Sequence, residues 1–398
     1  MRRIVKILVR ILVIFLIVTV AAGWFMRQEI SRLWTVVTLY DEEFIVGNFS
    51  NMGAAFDTAD VPRGSGSASA LPEGPPADLP DEVATWIEAR DVTSLVVLSD
   101  GQIVHESYHM GTAPGDRRMS FSVAKSFLSA LLGTLVEDGT IPDLDAQVTD
   151  YVPELDGTAY DGTTIRNVLQ MTSGVAFDED YLDYNSDINR MSRALALGGT
   201  MDGFTEALTE TDRPAGQQWQ YVSIDTHVIG MVIRGATGRD IPALLSERII
   251  QPLGLEATPY YLTDGEGVAF VLGGLNMTTR DYARMGMMFL NNGAWNGQQI
   301  LSEDWVAEST AASARTAPGE IGYGYQWWIP VGADPGQFMA RGIYGQYVYV
   351  DQVNRVVIAT TAADRQFRNA GVSEENVAMF RLIASSVGVP EPDPEETE

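Results

Sequence analysis

The stretch that most constrains this chain is Met119-Ser120-Phe121-Ser122-Val123-Ala124-Lys125-Ser126-Phe127-Leu128. Ser122 and Lys125 stand three residues apart. Apolar residues then recur at helical spacing: Val123, Phe127, Leu128, Leu131, Leu132 and Leu135. That period predicts a helix starting near Ser122 with one buried face, and Gly139 is a plausible stop signal. On such a helix the hydroxyl and the amine project from the same face, one turn apart. A serine hydroxyl is a poor nucleophile until a neighbouring base takes its proton, and a buried lysine with a lowered pKa can act as that base. The helix N-terminus adds a positive field that favours charge developing on the serine oxygen.

Ser-x-x-Lys on its own is a weak pattern, and composition gives it weight here. The 398-residue chain has two lysines, Lys6 and Lys125; every other basic side chain is arginine. Lys6 lies beside an N-terminal apolar stretch, so Lys125 is the lysine of the globular part. Arginine cannot release its proton in a protein, whereas buried lysine can. A chain that keeps one lysine in this position has a use for a titratable amine.

The rest of the composition removes alternatives. A net charge of −27 argues against a nucleic-acid partner, because a phosphate backbone would be repelled. The absence of cysteine removes thiol nucleophiles, disulfides and cysteine zinc sites. His105, His109 and His227 form no metal motif, and neither a metal nor a cofactor is expected. A Ser-His-Asp arrangement built on His227 lacks a Gly-x-Ser-x-Gly elbow. The expected partner is a small-molecule substrate.

Four segments are expected. Residues 1–27 read as a transmembrane anchor or a signal segment. Arg2, Arg3, Lys6 and Arg10 flank an uncharged run from Ile11 to Met26 that continues past the small residues Ala21, Ala22 and Gly23. The uncleaved anchor is the preferred reading, placing the catalytic part outside the bacterial inner membrane, in the periplasm; cleavage and secretion is the alternative. Residues 28–83 read as a juxtamembrane segment and linker, rich in Pro, Gly and Ser from Val61 to Pro80. Residues 84–388 form the main domain, and 389–398 an acidic, disordered tail.

Within the main domain, Thr93–Leu98 and Ile103–Tyr108 flank Asp100-Gly101, a strong hairpin signal. A second strand pair, Gly345–Val350 and Arg355–Thr360, lies near the C-terminus, followed by a helix over Asn376–Val387. Helical patterns fall between them, at Thr163–Met171, Phe204–Leu208, Val228–Gly235, Ile241–Ile250 and Asp281–Leu290. Strands at both ends with helices between predict an α+β unit.

Four stretches together carry a resemblance: Ser122-Val123-Ala124-Lys125; Leu169-Gln170-Met171-Thr172-Ser173-Gly174; Tyr221-Val222-Ser223; and Arg341-Gly342-Ile343-Tyr344-Gly345-Gln346-Tyr347. In this order and spacing they resemble the serine β-lactamase/penicillin-binding-protein superfamily. The narrower likeness is to its class C β-lactamase-like serine hydrolases, the group that includes 6-aminohexanoate-dimer hydrolase. The resemblance implies an antiparallel sheet flanked by helices beside a helical subdomain, with the active site between them. It implies hydrolysis of amides or esters through an acyl-enzyme on Ser122, with Lys125 and Tyr221 moving protons. The alternative is a D-Ala-D-Ala peptidase or a slowly acylating sensor of cell-wall peptides or β-lactams.

The backbone N–H groups of Ser122 and Ile343 would form the oxyanion hole. Tyr181, Asn276 and Gly342 would contact substrate. Tyr221 fits the family's Tyr-x-Asn element, with Ser223 at its third position, and a nearby Lys125 cation would stabilise its phenolate. Ala340 stands where β-lactamases carry a cation, so a β-lactam carboxylate would lack its partner. Arg341 is the candidate substitute for that cation, although, one step along the strand, it would point to the other face.

Overall fold

Asp100 and Gly101 both take positive φ, 44° and 80°. This is the backbone a tight two-residue hairpin turn requires, and it joins β2 (Val92–Ser99) to β3 (Gln102–Tyr108) as expected. The structure is a computed structural model that describes residues 27–388 and scattered positions before residue 27.

β2 and β3 form one edge of a seven-stranded antiparallel sheet. Its order is β3, β2, β13 (Val356–Ala362), β12 (Gln346–Asp351), β11 (Gln337–Gly342), β10 (Trp328–Ile329) and β9 (Gly322–Tyr323). The two ends of the domain meet in its middle, where Val97 of β2 stands opposite Ile358 of β13. β2, β12 and β13 are buried along their whole length because both faces are covered. One face packs against α2 (Asp81–Ala89) and α6 (Val372–Val387), through Trp86 and Phe380. The other packs against α3 (Val123–Glu137) and α5 (Thr279–Leu290). Gly286 lets α5 lie down on the sheet: a Cβ there would meet Val357 at 2.5 Å and Val348 at 2.9 Å.

A smaller sheet has the order β1 (Asp57–Asp60), β5 (Tyr260–Thr263), β6 (Leu275–Met277) and β4 (Arg118–Met119), and a hairpin joins β7 (Ala294–Trp295) to β8 (Gln298–Gln299). Short helices around α4 (Ser223–Thr237) make the helical subdomain. Gln326 stitches it to the sheet. Its side chain donates to the carbonyls of Val168 and Leu169 and accepts from Thr226, while its carbonyl accepts from Ser126 of α3.

Several expectations need correction. Residues 38–61 are more than a linker: Leu39, Ile45, Phe49, Met52 and Val61 join the main hydrophobic core, and β1 pairs with β5. They follow α1 (Arg27–Val37). A helix over Asp187–Ala196 was not legible in the sequence. The segment expected as one helix from Ile241 to Ile250 is a short α-helix running into a π-turn at Ser246–Ile250. The anchor or signal run from Ile11 to Met26 and the acidic tail fall almost entirely outside the described residues. Among the described residues no helix is long and apolar enough to cross a membrane.

Candidate active site

β4 pairs with β6 and delivers the chain to Ser122. Met119 stands opposite Asn276, and the Ser120 N–H donates to the Leu275 carbonyl at 2.8 Å. The turn then passes through Phe121, a non-glycine residue with φ of 44°. That left-handed conformation costs about 1–3 kcal/mol and is held by surrounding packing. Here the packing is aromatic. Phe121 lies against Phe49, with ring centres 5.0 Å apart, and against Tyr344 at 5.4 Å. Tyr344 in turn meets Tyr40 at 5.2 Å and Phe367 at 4.6 Å. Ser122 follows as the residue that begins α3.

Lys125 lies one turn into α3, 2% exposed, its Nζ donating to the Leu272 carbonyl at 2.6 Å. Burial pushes its pKa down to about 7, against the pull of Glu179 and Asp225, which favour the charged form. Nζ is 5.7 Å from the centre of the Tyr221 ring. The Tyr221 phenol has the Ser122 hydroxyl as a polar neighbour. Its pKa is raised, first by burial and then by the Glu179 charge, which outweigh Ser122, Ser223 and Arg341. The expected stabilisation of a Tyr221 phenolate is therefore overturned: the phenol keeps its proton at neutral pH.

Two carboxylates not singled out from the sequence complete this corner. Glu179 accepts the Ser223 N–H, and burial raises its pKa against the opposing Lys125 charge. Asp225 is fully buried, accepts the Tyr160 hydroxyl at 2.8 Å, and is pushed up to about 7 by burial. A buried lysine needs a counter-charge nearby, and that rule could have directed attention to Glu179, two residues before Tyr181.

A cavity of about 520 Å³ opens beside Ser122. Its lining includes Glu179, Tyr181, Tyr221, Trp328, Gly342 and Ile343, so Ser122 and Ile343 border the same space. Tyr181 sits where Phe367 meets its ring edge-on at 6.4 Å, and the Arg368 guanidinium lies 5.9 Å from its centre. Gly342 has a steric reason: a Cβ there would come within 2.6 Å of the Ser120 carbonyl oxygen, so β11 can approach the nucleophile turn only with glycine. Asn276 does not reach the cavity lining. It is fully buried in β6, its side chain donating to the Gly274 carbonyl at 2.9 Å, and it lies beneath the turn that carries Ser122. His227 is also elsewhere, buried on α4 and paired with Asp202 at 2.7 Å.

Arg341 needs a correction of a different kind. Strand alternation does place it with Met339 and Tyr347, opposite Ala340 and Val348. Yet the cavity passes around the end of β11 onto that face, and Arg341 lines it with Trp328 and Tyr347. A substrate carboxylate therefore has a cation within the same cavity.

A family model described as Beta-lactamase matches residues 84–378. The chain is 31% identical over 321 residues to a 6-aminohexanoate-dimer hydrolase of Paenarthrobacter ureafaciens, covering 76% of this chain and 81% of that protein. A Bacillus anthracis protein provisionally named 6-aminohexanoate-dimer hydrolase superposes with a TM-score of 0.76 at 25% identity, over 87% of this chain and 95% of its own. A family VIII carboxylesterase superposes with a TM-score of 0.55 at 17% identity, over 75% of this chain and 95% of its own, a likeness of fold. With its β-lactamase/transpeptidase-like fold, the chain belongs to the beta-lactamase family and is a serine hydrolase.

Proposed function

We propose that the protein hydrolyses small linear amides or esters through an acyl-enzyme on Ser122, with Lys125 as the base and Tyr221 as the proton relay. One observation carries this reading: the Ser122 hydroxyl, on the wall of an open cavity, neighbours a tyrosine that keeps its proton, and beside that tyrosine, with Nζ 5.7 Å from the ring centre, is a buried lysine whose pKa is lowered to about 7. The Ser122 oxygen bonds to the carbonyl carbon as its proton passes to the neutral Lys125 amine. The N–H groups of Ser122 and Ile343 receive the oxyanion; losing one such donor costs about 2.7–4 kcal/mol. As the scissile C–N or C–O bond breaks, Tyr221 gives its proton to the leaving group and takes one from Lys125. Water then attacks the acyl carbon, and the same groups return the proton to Ser122. Glu179 and Asp225 balance the lysine charge while it holds the proton.

The relative from Paenarthrobacter ureafaciens carries the name 6-aminohexanoate-dimer hydrolase, and two amino acids are joined in a dimer by an amide, which supports the substrate class. Burst kinetics with a chromogenic short-chain ester, beside the linear 6-aminohexanoate dimer and nitrocefin, test the reading. Steady turnover with a labelled Ser122 is expected, and Ser122→Ala should lose both label and turnover. A stoichiometric burst without turnover would identify a slowly acylating sensor instead.

A further inference from the structure

Arg341 is the cation of the cavity that the protein leaves unneutralised. The other arginine on the wall, Arg368, is tied to Asp180 at 2.7 Å. Glu179 is turned inward to the Ser223 N–H and Lys125, and Glu374 stands exposed at the cavity edge. The Arg341 guanidinium makes no hydrogen bond or ion pair among the described residues. Its guanidinium carbon lies 5.3 Å from the centre of the Trp328 ring, and Trp328 stacks on Tyr221 with ring centres 5.2 Å apart. The fork is therefore held in one region by an indole that itself touches the proton relay.

Elsewhere the chain shows what it does with arginine. With a net charge of −27, acidic partners are plentiful, and Arg166 meets Asp145, Arg280 meets Glu106, and Arg284 meets Asp281 and Glu256; arginines without an acidic partner, such as Arg63, Arg117 and Arg381, donate to backbone carbonyls. A permanently charged, planar donor left without such a partner, on the wall that holds Ser122, matches the geometry of a carboxylate supplied from outside.

We propose that Arg341 is the subsite for a free carboxylate carried by the substrate, so that carboxylate-bearing amides and esters are cleaved in preference to neutral analogues of the same shape. This rests on the acyl-enzyme reading of the same cleft and names its substrate class.

Two matched pairs test it with the full chain. One is the linear 6-aminohexanoate dimer against its C-terminal amide. The other is mono-p-nitrophenyl adipate against p-nitrophenyl hexanoate. In each pair the quantity read is the ratio of kcat/KM, anionic over neutral. A charge-assisted bond predicts a ratio of about ten or more in at least one pair, falling about tenfold in Arg341→Gln and partly restored in Arg341→Lys. The ratio should also shrink between about 50 and 500 mM salt, as expected for a charge reached from solvent. A ratio near one in both pairs, or one untouched by Arg341→Gln, overturns the proposal. Calorimetric binding of adipate against adipamide to the Ser122→Ala chain needs no turnover. Adipate binding lost in the Ser122→Ala/Arg341→Gln double variant supports the carboxylate subsite even if no substrate is turned over and the acyl-enzyme reading fails. Equal binding of the two compounds refutes it even if esters are hydrolysed.

Discussion

The two halves of the cavity are built differently. The inner corner has Glu179 and Tyr221 on the wall with Lys125 and Asp225 packed behind them, and its lysine and aspartate are carried by α3 and α4 and almost sealed from solvent. The outer half holds Arg341, Phe367, Arg368, Asn369 and Glu374, drawn from a strand end, the loop before α6 and the first turn of α6. Burial in the inner corner tunes pKa values; openness in the outer half lets side chains meet solvent and ligand. Groups in the first half act on the reacting bond and should govern kcat for every substrate. Groups in the second hold parts of the substrate that do not react and should act through KM, differently for each substrate.

That division is open to attack, beginning with its largest expected effect. Lys125→Arg should lower kcat by about 10²–10⁴-fold on all substrates, nearly as much as Lys125→Ala, because a charge that cannot accept a proton is no substitute for a base. Single-turnover measurements that left acylation intact in the arginine variant would remove the base from the inner corner. Next comes pH. The working lysine is the neutral one and its pKa is lowered to about 7, so kcat/KM should fall about tenfold per unit below that pH and level off above it. A profile flat down to pH 5 would mean that the amine does not titrate in the reaction. The smallest effect is assigned to Tyr181→Phe. Removing a hydroxyl that faces both Glu179 and the cavity should raise KM about three- to tenfold with kcat changed less. A kcat collapse there would move Tyr181 into the inner corner.

The same division explains what the sequence disclosed. Ser122 and Lys125 were legible because one helix carries both, and local spacing fixes their geometry. The Asp100-Gly101 hairpin was legible for a similar reason, since two residues decide it. Glu179 and Arg341 were harder to read. Each lies far along the chain from the serine, and its role depends on how a loop and a strand end curl around the cleft. Arg341 shows the difficulty plainly: alternation gave the correct face, but a strand pattern carries no information about where a cavity bends. Asn276 failed the opposite way. It stands next to the nucleophile turn, but its amide is buried beneath that turn and donates to the Gly274 carbonyl just before β6. The core role of residues 38–61 was hidden because their apolar positions are irregularly spaced and become meaningful only once Phe49 is seen against Phe121.

That last contact bears on how the enzyme can be handled at the bench. The family match begins at residue 84, which invites a fragment starting there. Such a fragment would lack Tyr40 and Phe49, leaving Phe121 and Tyr344 without two of the rings that clamp them. It would also lose β1 from the edge of the smaller sheet. The shortest piece that preserves the cleft therefore starts by residue 38, well upstream of the recognisable family sequence.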